Sequence, residues 1–250
     1  MNAFCVRLLV LLLLSCSACE SPAPEQTSDI GANLLGAQDT TTITVDTSSV
    51  AENRSSPVVL PPDYDTSEWT DVARLDSTIL MDIRYATSNN FVEMQMYECG
   101  RCFLRPEVAN AIHQAHQRLQ QQGLGLKMYD CYRPRPIQWK LWEKVPDPRY
   151  VSDPRKGSMH NRGAAVDLTI VDKDGNELDM GTDFDFFGRR AYTTNTALPP
   201  EILNNRKLLQ NTLVDVGFRY IRTEWWHFAY TRKRYALSDM LWNCPETTAL

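Results

Sequence analysis

The chain has 250 residues, seven cysteines and a formal net charge of −5 at pH 7. The negative charge lies in residues 20–63, where seven carboxylates face one arginine, and the part from Tyr64 onward is balanced. A balanced domain lacks the basic face that nucleic-acid binding needs, so we expect no nucleic-acid partner. About 185 residues are enough for one domain with a sizeable core.

The N-terminus has the pattern of an export signal. Arg7 is followed by an apolar run from Leu8 to Leu14, too short to span a membrane, and then by small residues. The stretch around Cys16 and Cys19 resembles a bacterial lipoprotein box. We therefore predict a signal peptide over residues 1–19 and a lipid on Cys19, or else on Cys16. Ordinary signal cleavage with a soluble product is the alternative, and both predict a protein of the bacterial periplasm.

Residues 20–63 are rich in Thr, Ser, Pro and acidic side chains and show no sustained periodicity. Such a segment cannot bury enough apolar surface to offset the entropy that ordering costs. We predict a disordered tether here, followed by one folded domain over residues 64–250.

The domain alternates between strand-like and helix-like segments. Branched and aromatic residues predict strands over 78–86, 126–132 and 164–171 and a hairpin over 218–230. Apolar periodicity with terminal Pro or Gly predicts helices over 106–122, 137–144 and 199–217. Helices packed against a mostly antiparallel sheet make an α+β fold.

Two short motifs supply the residues of a metal site. His160 and Asp167 lie seven apart, and Glu224 precedes His227 by three positions. Catalytic zinc sites use three N or O ligands, and a nearby base takes the proton of the activated water. The alternative is that His227 is a core histidine and Glu224 a carboxylate in a turn. In the metal interpretation, one zinc ion is held by His160, Asp167 and His227. Glu224 is then the base, and because side chains three apart on a strand face opposite ways, a bulge or turn near Trp225 is needed.

Further motifs carry a resemblance to a known family. They stand in the family's order at residues 82–91, 101–106, 129–134 and 180–186. Together with the metal motifs, they make the chain similar to the zinc D-Ala-D-Ala peptidases, and more closely to the D-alanyl-D-alanine dipeptidases known from vancomycin resistance. The resemblance implies a single zinc peptidase domain that hydrolyses D-alanyl-D-alanine to two D-alanines in cell-wall metabolism.

The resemblance also implies roles for individual residues. Glu224 matches the general acid and base, and Arg133 matches the arginine that stabilises the tetrahedral intermediate. Tyr85 and Asp185 match residues near the substrate's free amine, and Ser158 lies beside its carboxylate. The segment between Arg133 and Ser158 is shorter here than in the resistance enzymes, so the resemblance says less about specificity than about chemistry.

Two other functions remain open. One is a D,D-carboxypeptidase or peptidoglycan endopeptidase, and the other is a non-catalytic cell-wall-binding lipoprotein with a structural zinc. An amine pocket made by Tyr85 and Asp185 favours the free dipeptide, because a longer substrate has no ammonium there. Glu224 and Arg133 argue against a purely structural zinc site, which needs neither.

The domain contains Cys99, Cys102, Cys131 and Cys244. In an exported chain, disulfides are favoured over a redox C-x-x-C motif or a four-cysteine zinc site, and three pairings are open. His113 and His116, at i and i+3 of a predicted helix, are interpreted as part of its solvated face. Asp130 either orients Arg133 or is an ordinary carboxylate at a strand end.

Overall fold

The computed structural model describes residues 61–244. The predicted signal peptide, both candidate lipidation sites and almost all of the predicted tether lie outside the described residues. Within the described part, no helix is long and apolar enough to cross a membrane.

A five-stranded sheet forms the centre of the fold. In spatial order its strands are β2 (Leu80–Met81), β4 (Gly125–Asp130), β5 (Ala165–Val171), β7 (His227–Tyr230) and β6 (Phe218–Tyr220). The pairs β4–β5, β5–β7 and β7–β6 are antiparallel, whereas β2 and β4 run parallel. The predicted α+β fold with a mostly antiparallel sheet is confirmed, and the sheet is mixed because of β2. Every residue of the central strand β5 is buried.

A second, two-stranded sheet pairs β1 (Thr70–Asp71) with β3 (Phe103–Leu104), and a short helix α1 (Val72–Leu75) follows β1. Three longer helices match the predicted ones within a few residues. They are α2 (Pro106–Gln120), α3 (Arg135–Lys144) and α4 (Pro200–Asp215), each with a proline in the first turn, where its missing N–H costs nothing. The apolar stripe of α2 is fully buried, and α2 lies against β4 and α4.

The strand predicted over residues 78–86 is wrong for most of its length. Only Leu80–Met81 pairs with β4, and Arg84–Ala86 forms a 3-10 helix. The backbone carbonyl of Tyr85 accepts hydrogen bonds from the N–H groups of Met96 and Tyr97 instead of from a neighbouring strand. The turn places the ring of Tyr85 in the core, 2% exposed, which strand propensity alone does not predict.

His116 does not lie on a solvated face, so that interpretation is wrong. Its side chain is 1% exposed, its Nδ1 accepts the Leu126 N–H at 3.1 Å, and its Nε2 lies 2.9 Å from Thr78 Oγ1. Burial lowers the pKa of His116, which favours the neutral ring that this bonding needs. His113 is partly exposed and lies 3.1 Å from the Asp76 carboxylate. His116 therefore joins α2 to the sheet.

Candidate active site

The three predicted metal ligands meet at one edge of β5. Asp167 on β5 is paired directly with His227, the first residue of β7, so that both side chains leave the sheet on the same face. His160 lies in a 3-10 helix (His160–Arg162) just before β5. Within residues 61–244, His160, Asp167 and His227 are the side chains whose donor atoms lie close enough together to hold a metal ion.

The donor atoms of the trio fit a tetrahedral metal. Asp167 Oδ1 lies 2.9 Å from His227 Nδ1 and 3.4 Å from His160 Nε2, and the two histidine nitrogens are 3.1 Å apart. Two ligands at tetrahedral angles and bond lengths of about 2.0–2.1 Å lie about 3.3 Å apart. Although burial opposes it, charge interactions and hydrogen bonds with His160 and His227 hold the pKa of Asp167 well below its usual range, so the carboxylate is ionised.

A backbone carbonyl orients His160. The ring is 3% exposed, and its Nδ1 lies 2.6 Å from the carbonyl oxygen of Cys131. This contact places the ring proton on Nδ1 and leaves the Nε2 lone pair for a metal. Gly163 then turns the chain into β5 with a φ of +65°, and an added Cβ would lie 2.5 Å from the Trp69 ring. The glycine of the motif is therefore required by both conformation and space.

Glu224 lies in the turn between β6 and β7, not on a strand. The turn supplies the change of direction that the sequence required near Trp225, and Glu224 and His227 line the same cavity. Burial raises the pKa of the Glu224 carboxyl to about 7, with a further contribution from the negative charge of Asp167. A carboxyl group that titrates near neutral pH can both accept and return a proton.

Arg133 is held in a buried network. Its Nε and Nη2 donate to Asp130 Oδ2 at 3.0 and 2.6 Å, and its Nη1 donates to Gln138 Oε1 at 3.0 Å. The hydroxyl of Tyr97 donates to the other Asp130 oxygen at 2.8 Å. Asp130 therefore orients Arg133, which settles the question that the sequence left open. Nothing in the sequence indicated that Gln138 and Tyr97 belong to this network, beyond their being polar residues near the motifs.

Tyr85, which is buried, and Asp185, which is half-buried, form a polar pair in the cleft. The Tyr85 hydroxyl donates to Asp185 Oδ2 at 3.2 Å. Asp185 has a φ of +61°, a left-handed conformation that is strained for a non-glycine residue and common at functional sites. Burial, with help from the charge of Asp167, raises the pKa of Asp185 to about 8. A bound cation would favour its ionised form.

Ser158 is connected to Arg133 through Asn161, which the sequence reasoning missed. The Ser158 N–H and hydroxyl donate to Asn161 Oδ1 at 2.8 and 3.2 Å, and Asn161 Nδ2 donates to the Arg133 carbonyl at 2.7 Å. All the predicted metal, catalytic and substrate residues line a single cavity of about 330 Å³, namely Tyr85, Arg133, Ser158, His160, Asp167, Asp185, Glu224 and His227.

The four cysteines form two disulfides, Cys99–Cys244 and Cys102–Cys131. The pairing settles the three alternatives and leaves neither a dithiol motif nor a four-cysteine zinc site. The sulfur atoms of Cys102 and Cys131 are buried, and the Cys131 carbonyl is the one that orients His160. The second disulfide therefore braces the chain between Asp130 and Arg133.

We expect the two disulfides to differ in their effect on the site. Replacing either pair by alanine should lower the free energy of unfolding by about 2–4 kcal/mol. Only the Cys102→Ala, Cys131→Ala variant should also bind zinc more weakly, because it frees the carbonyl that orients His160. Denaturant titrations and competition with a zinc chelator measure the two effects. Equal zinc affinities in the two double variants would contradict this role.

Comparison with known proteins shows the family of the chain. A family model described as D-ala-D-ala dipeptidase matches residues 65–243. The D-alanyl-D-alanine dipeptidase of Escherichia coli K12 is 39% identical over 164 residues, which cover 66% of this chain and 85% of that protein. The enzyme of the same name from Enterococcus faecalis V583 is 30% identical over 175 residues, 62% of this chain and 87% of that protein.

Among solved structures, a vancomycin-resistance D,D-dipeptidase in complex with a D-Ala-D-Ala phosphinate analogue is 21% identical with a TM-score of 0.32. The match covers 52% of this chain and 51% of that one, too limited a likeness to add to the argument. The extent of the family match and the identity to the E. coli relative decide the assignment. The chain belongs to the D-Ala-D-Ala dipeptidase family.

Proposed function

We propose that this protein is a zinc peptidase that hydrolyses D-alanyl-D-alanine to two molecules of D-alanine. One observation carries the proposal. The Asp185 carboxylate and the Tyr85 hydroxyl, which together could bind an amine, share a cavity of about 330 Å³ with the metal trio, Glu224 and Arg133. The family relatives are named D-alanyl-D-alanine dipeptidase, which agrees with this arrangement.

The donor set fits zinc, with two imidazole nitrogens and one carboxylate oxygen at tetrahedral spacing. When bound there, zinc would acidify a water molecule toward a pKa of roughly 7 and polarise the scissile carbonyl. Glu224 would accept the proton of the attacking water and deliver it to the leaving amine nitrogen. Burial raises the pKa of Glu224 above its usual range, which favours the return of the proton to the leaving group.

Arg133 would stabilise the negative charge that develops on the carbonyl oxygen. Its guanidinium is fixed by Asp130 and Gln138, and its Nη2 lies 4.0 Å from Asp167 Oδ2, beside the metal trio. A donor that is already oriented needs no reorganisation when charge appears, so it favours the transition state over the ground state.

The two ends of the dipeptide would be bound by different groups. Asp185 and Tyr85 would take the ammonium, and Ser158 would take the carboxylate. A D,D-carboxypeptidase or endopeptidase substrate has an acylated nitrogen instead, which would leave Asp185 without a cation. That reading is therefore not favoured. The non-catalytic reading is disfavoured as well, because Glu224 and Arg133 both line the cavity.

We expect kcat/KM to fall on the acid side of neutrality. Burial raises the pKa values of Glu224 to about 7 and of Asp185 to about 8, and both side chains act in the ionised form, which is lost as the pH falls through those values. Zinc would lower both pKa values, so the fall in kcat/KM, the acid limb of the pH profile, should lie below pH 8. A pH profile of kcat/KM measures it. The acid limb should be less steep in Asp185→Asn, and an activity independent of pH between 5 and 8 would contradict this assignment.

We further propose that the chain is exported and anchored by a lipid on Cys19, or else on Cys16. The signal-like N-terminus supports this, and so do the two disulfides, since disulfides persist in oxidising compartments. An exported enzyme does not meet the cytoplasmic precursor pool, which favours dipeptide scavenging or wall turnover over resistance. Labelling of the full chain with a radioactive fatty acid tests the anchor. The label should be lost in Cys19→Ser or in Cys16→Ser. A wild-type protein that carries no label would exclude the lipid anchor.

A product assay tests the proposed reaction. Purified zinc-loaded protein is incubated with free D-Ala-D-Ala and, separately, with a pentapeptide stem that ends in D-Ala-D-Ala. We expect D-alanine from the dipeptide and little from the stem. Release from the stem alone would replace the dipeptidase with a carboxypeptidase.

A further inference from the structure

Three aromatic side chains cover one side of the active-site cavity. Tyr150 and Phe187 are stacked, with ring centroids 4.2 Å apart and planes inclined by 20°. Phe187 also contacts Phe91, with centroids 5.0 Å apart. All three line the cavity, and we call Phe91, Tyr150 and Phe187 the aromatic roof.

The roof lies at the amine end of the cavity. Phe187 follows Asp185 by two residues, and the Phe91 ring meets the Tyr85 ring edge-on at 6.2 Å. Asp185 and Tyr85 are the pair to which the proposed function assigns the ammonium. A substituent on the substrate nitrogen would therefore extend toward the roof.

The roof joins three separate segments of the chain, and two of them meet in the ring stack. Tyr150 belongs to the segment between α3 and Ser158, and Phe187 belongs to the loop that follows Met180. Among residues 61–244, no hydrogen bond connects residues 145–158 with residues 181–191. The ring stack is thus the contact that closes this side, and an aromatic pair can separate at low cost when a substrate enters.

The roof is not ordinary core. Phe187 keeps 37% of its surface exposed, and Tyr150 and Phe91 are half-buried. Rings that are partly exposed on the outside and face a cavity on the inside define a wall. The cavity of about 330 Å³ is at the small end for a ligand site, so the position of this wall decides what fits.

We propose that the aromatic roof is a specificity determinant that limits the size of the group on the substrate nitrogen. The proposal rests on the proposed dipeptidase function and deepens it. The roof excludes acylated dipeptides by space, whereas Asp185 excludes them by charge. The two mechanisms are independent, so weakening one leaves the other in place.

The chain offers a matched control in the neighbouring residue. Phe186 is also an exposed phenylalanine, 44% exposed, but it lines a different cavity together with Arg84 and Tyr129. Phe186→Ala therefore removes the same side chain from the same loop without opening the roof.

The experiment compares kcat/KM for N-acetyl-D-Ala-D-Ala and for free D-Ala-D-Ala in zinc-loaded protein. Phe187→Ala and Tyr150→Ala should each raise the ratio of kcat/KM for the acetylated dipeptide to kcat/KM for the free dipeptide about tenfold or more. Adding or removing a few carbon atoms in a pocket changes discrimination between substrates by about that factor. Phe186→Ala should keep the wild-type ratio, and so should Phe187→Tyr, which restores the ring.

The outcomes separate the two claims. If Phe187→Ala and Tyr150→Ala cleave the free dipeptide with an unchanged ratio, the roof does not set the size limit. An equal rise in Phe186→Ala would also overturn the proposal, because it would reflect loosening of the loop. If wild-type protein does not cleave the free dipeptide, the proposed function fails instead. Circular dichroism shows whether each variant is folded, and Phe187→Leu replaces Phe187→Ala if that one is not.

Discussion

Replacing Glu224 by glutamine is expected to lower kcat by about two to four orders of magnitude, the usual contribution of a general acid and base. Glutamine preserves the shape of the side chain but cannot accept the proton of the attacking water. Since Glu224 is not one of the three proposed ligands, the variant should keep about one zinc ion per chain. Steady-state kinetics and metal analysis of the same preparation measure both quantities.

Glu201→Gln is a suitable control, because Glu201 is an exposed carboxylate in the first turn of α4. Its kcat should equal that of the wild type. Near-normal turnover in zinc-loaded Glu224→Gln would remove Glu224 from the mechanism. Loss of zinc together with activity would instead identify Glu224 as a ligand.

The second large effect concerns the metal trio. We expect His160→Ala and Asp167→Ala to lose zinc on dialysis and to lose nearly all activity, because each removes one of three donor atoms that lie 2.9–3.4 Å apart. The zinc affinity should fall by more than the factor of about 10–100 that is typical when a residue that hydrogen-bonds to a metal ligand is removed.

His113→Ala tests whether the effect is specific, since His113 lies on α2 and pairs with Asp76 rather than with the trio. That variant should retain zinc and activity. The wild type should contain about one zinc ion per chain by elemental analysis. Full zinc occupancy in both His160→Ala and Asp167→Ala would show that the metal, if any, is held elsewhere.

The residues that the sequence proposed for the site lie together because their contacts are local or follow from strand pairing. Asp167 and His227 lie opposite each other on adjacent antiparallel strands. The chain between His160 and Asp167 is short, and Gly163 permits the turn that brings them together. The strand-like pattern did not predict a turn between Glu224 and His227, but the metal-site prediction required a bulge or turn near Trp225.

Other features depend on contacts between residues far apart in the chain, which periodicity does not reveal. The 3-10 helix at Tyr85 forms because Met96 and Tyr97 satisfy its carbonyl, and the burial of His116 depends on Leu126 and Thr78. The cysteine pairing is likewise a property of the folded chain, with Cys99 and Cys244 separated by 145 positions.

The support for Arg133 shows the same limit. Asp130 precedes Arg133 by three residues, so their contact could be proposed from the sequence. Tyr97 reaches the same carboxylate only because of the fold. The aromatic roof is also tertiary, since Phe91, Tyr150 and Phe187 come from three separate segments. Specificity is therefore less predictable from motifs than the chemistry is.

The most direct test of the central claim is the ratio of kcat/KM for free D-Ala-D-Ala to that for N-acetyl-D-Ala-D-Ala. The free ammonium can pair with Asp185, whereas the acetylated nitrogen carries no charge and cannot form that ion pair. We predict a ratio of at least about one hundred in the wild type and a much smaller ratio in Asp185→Ala, through loss of activity on the free dipeptide. Comparable efficiencies on the two substrates in the wild type would contradict the account and favour a carboxypeptidase or an endopeptidase.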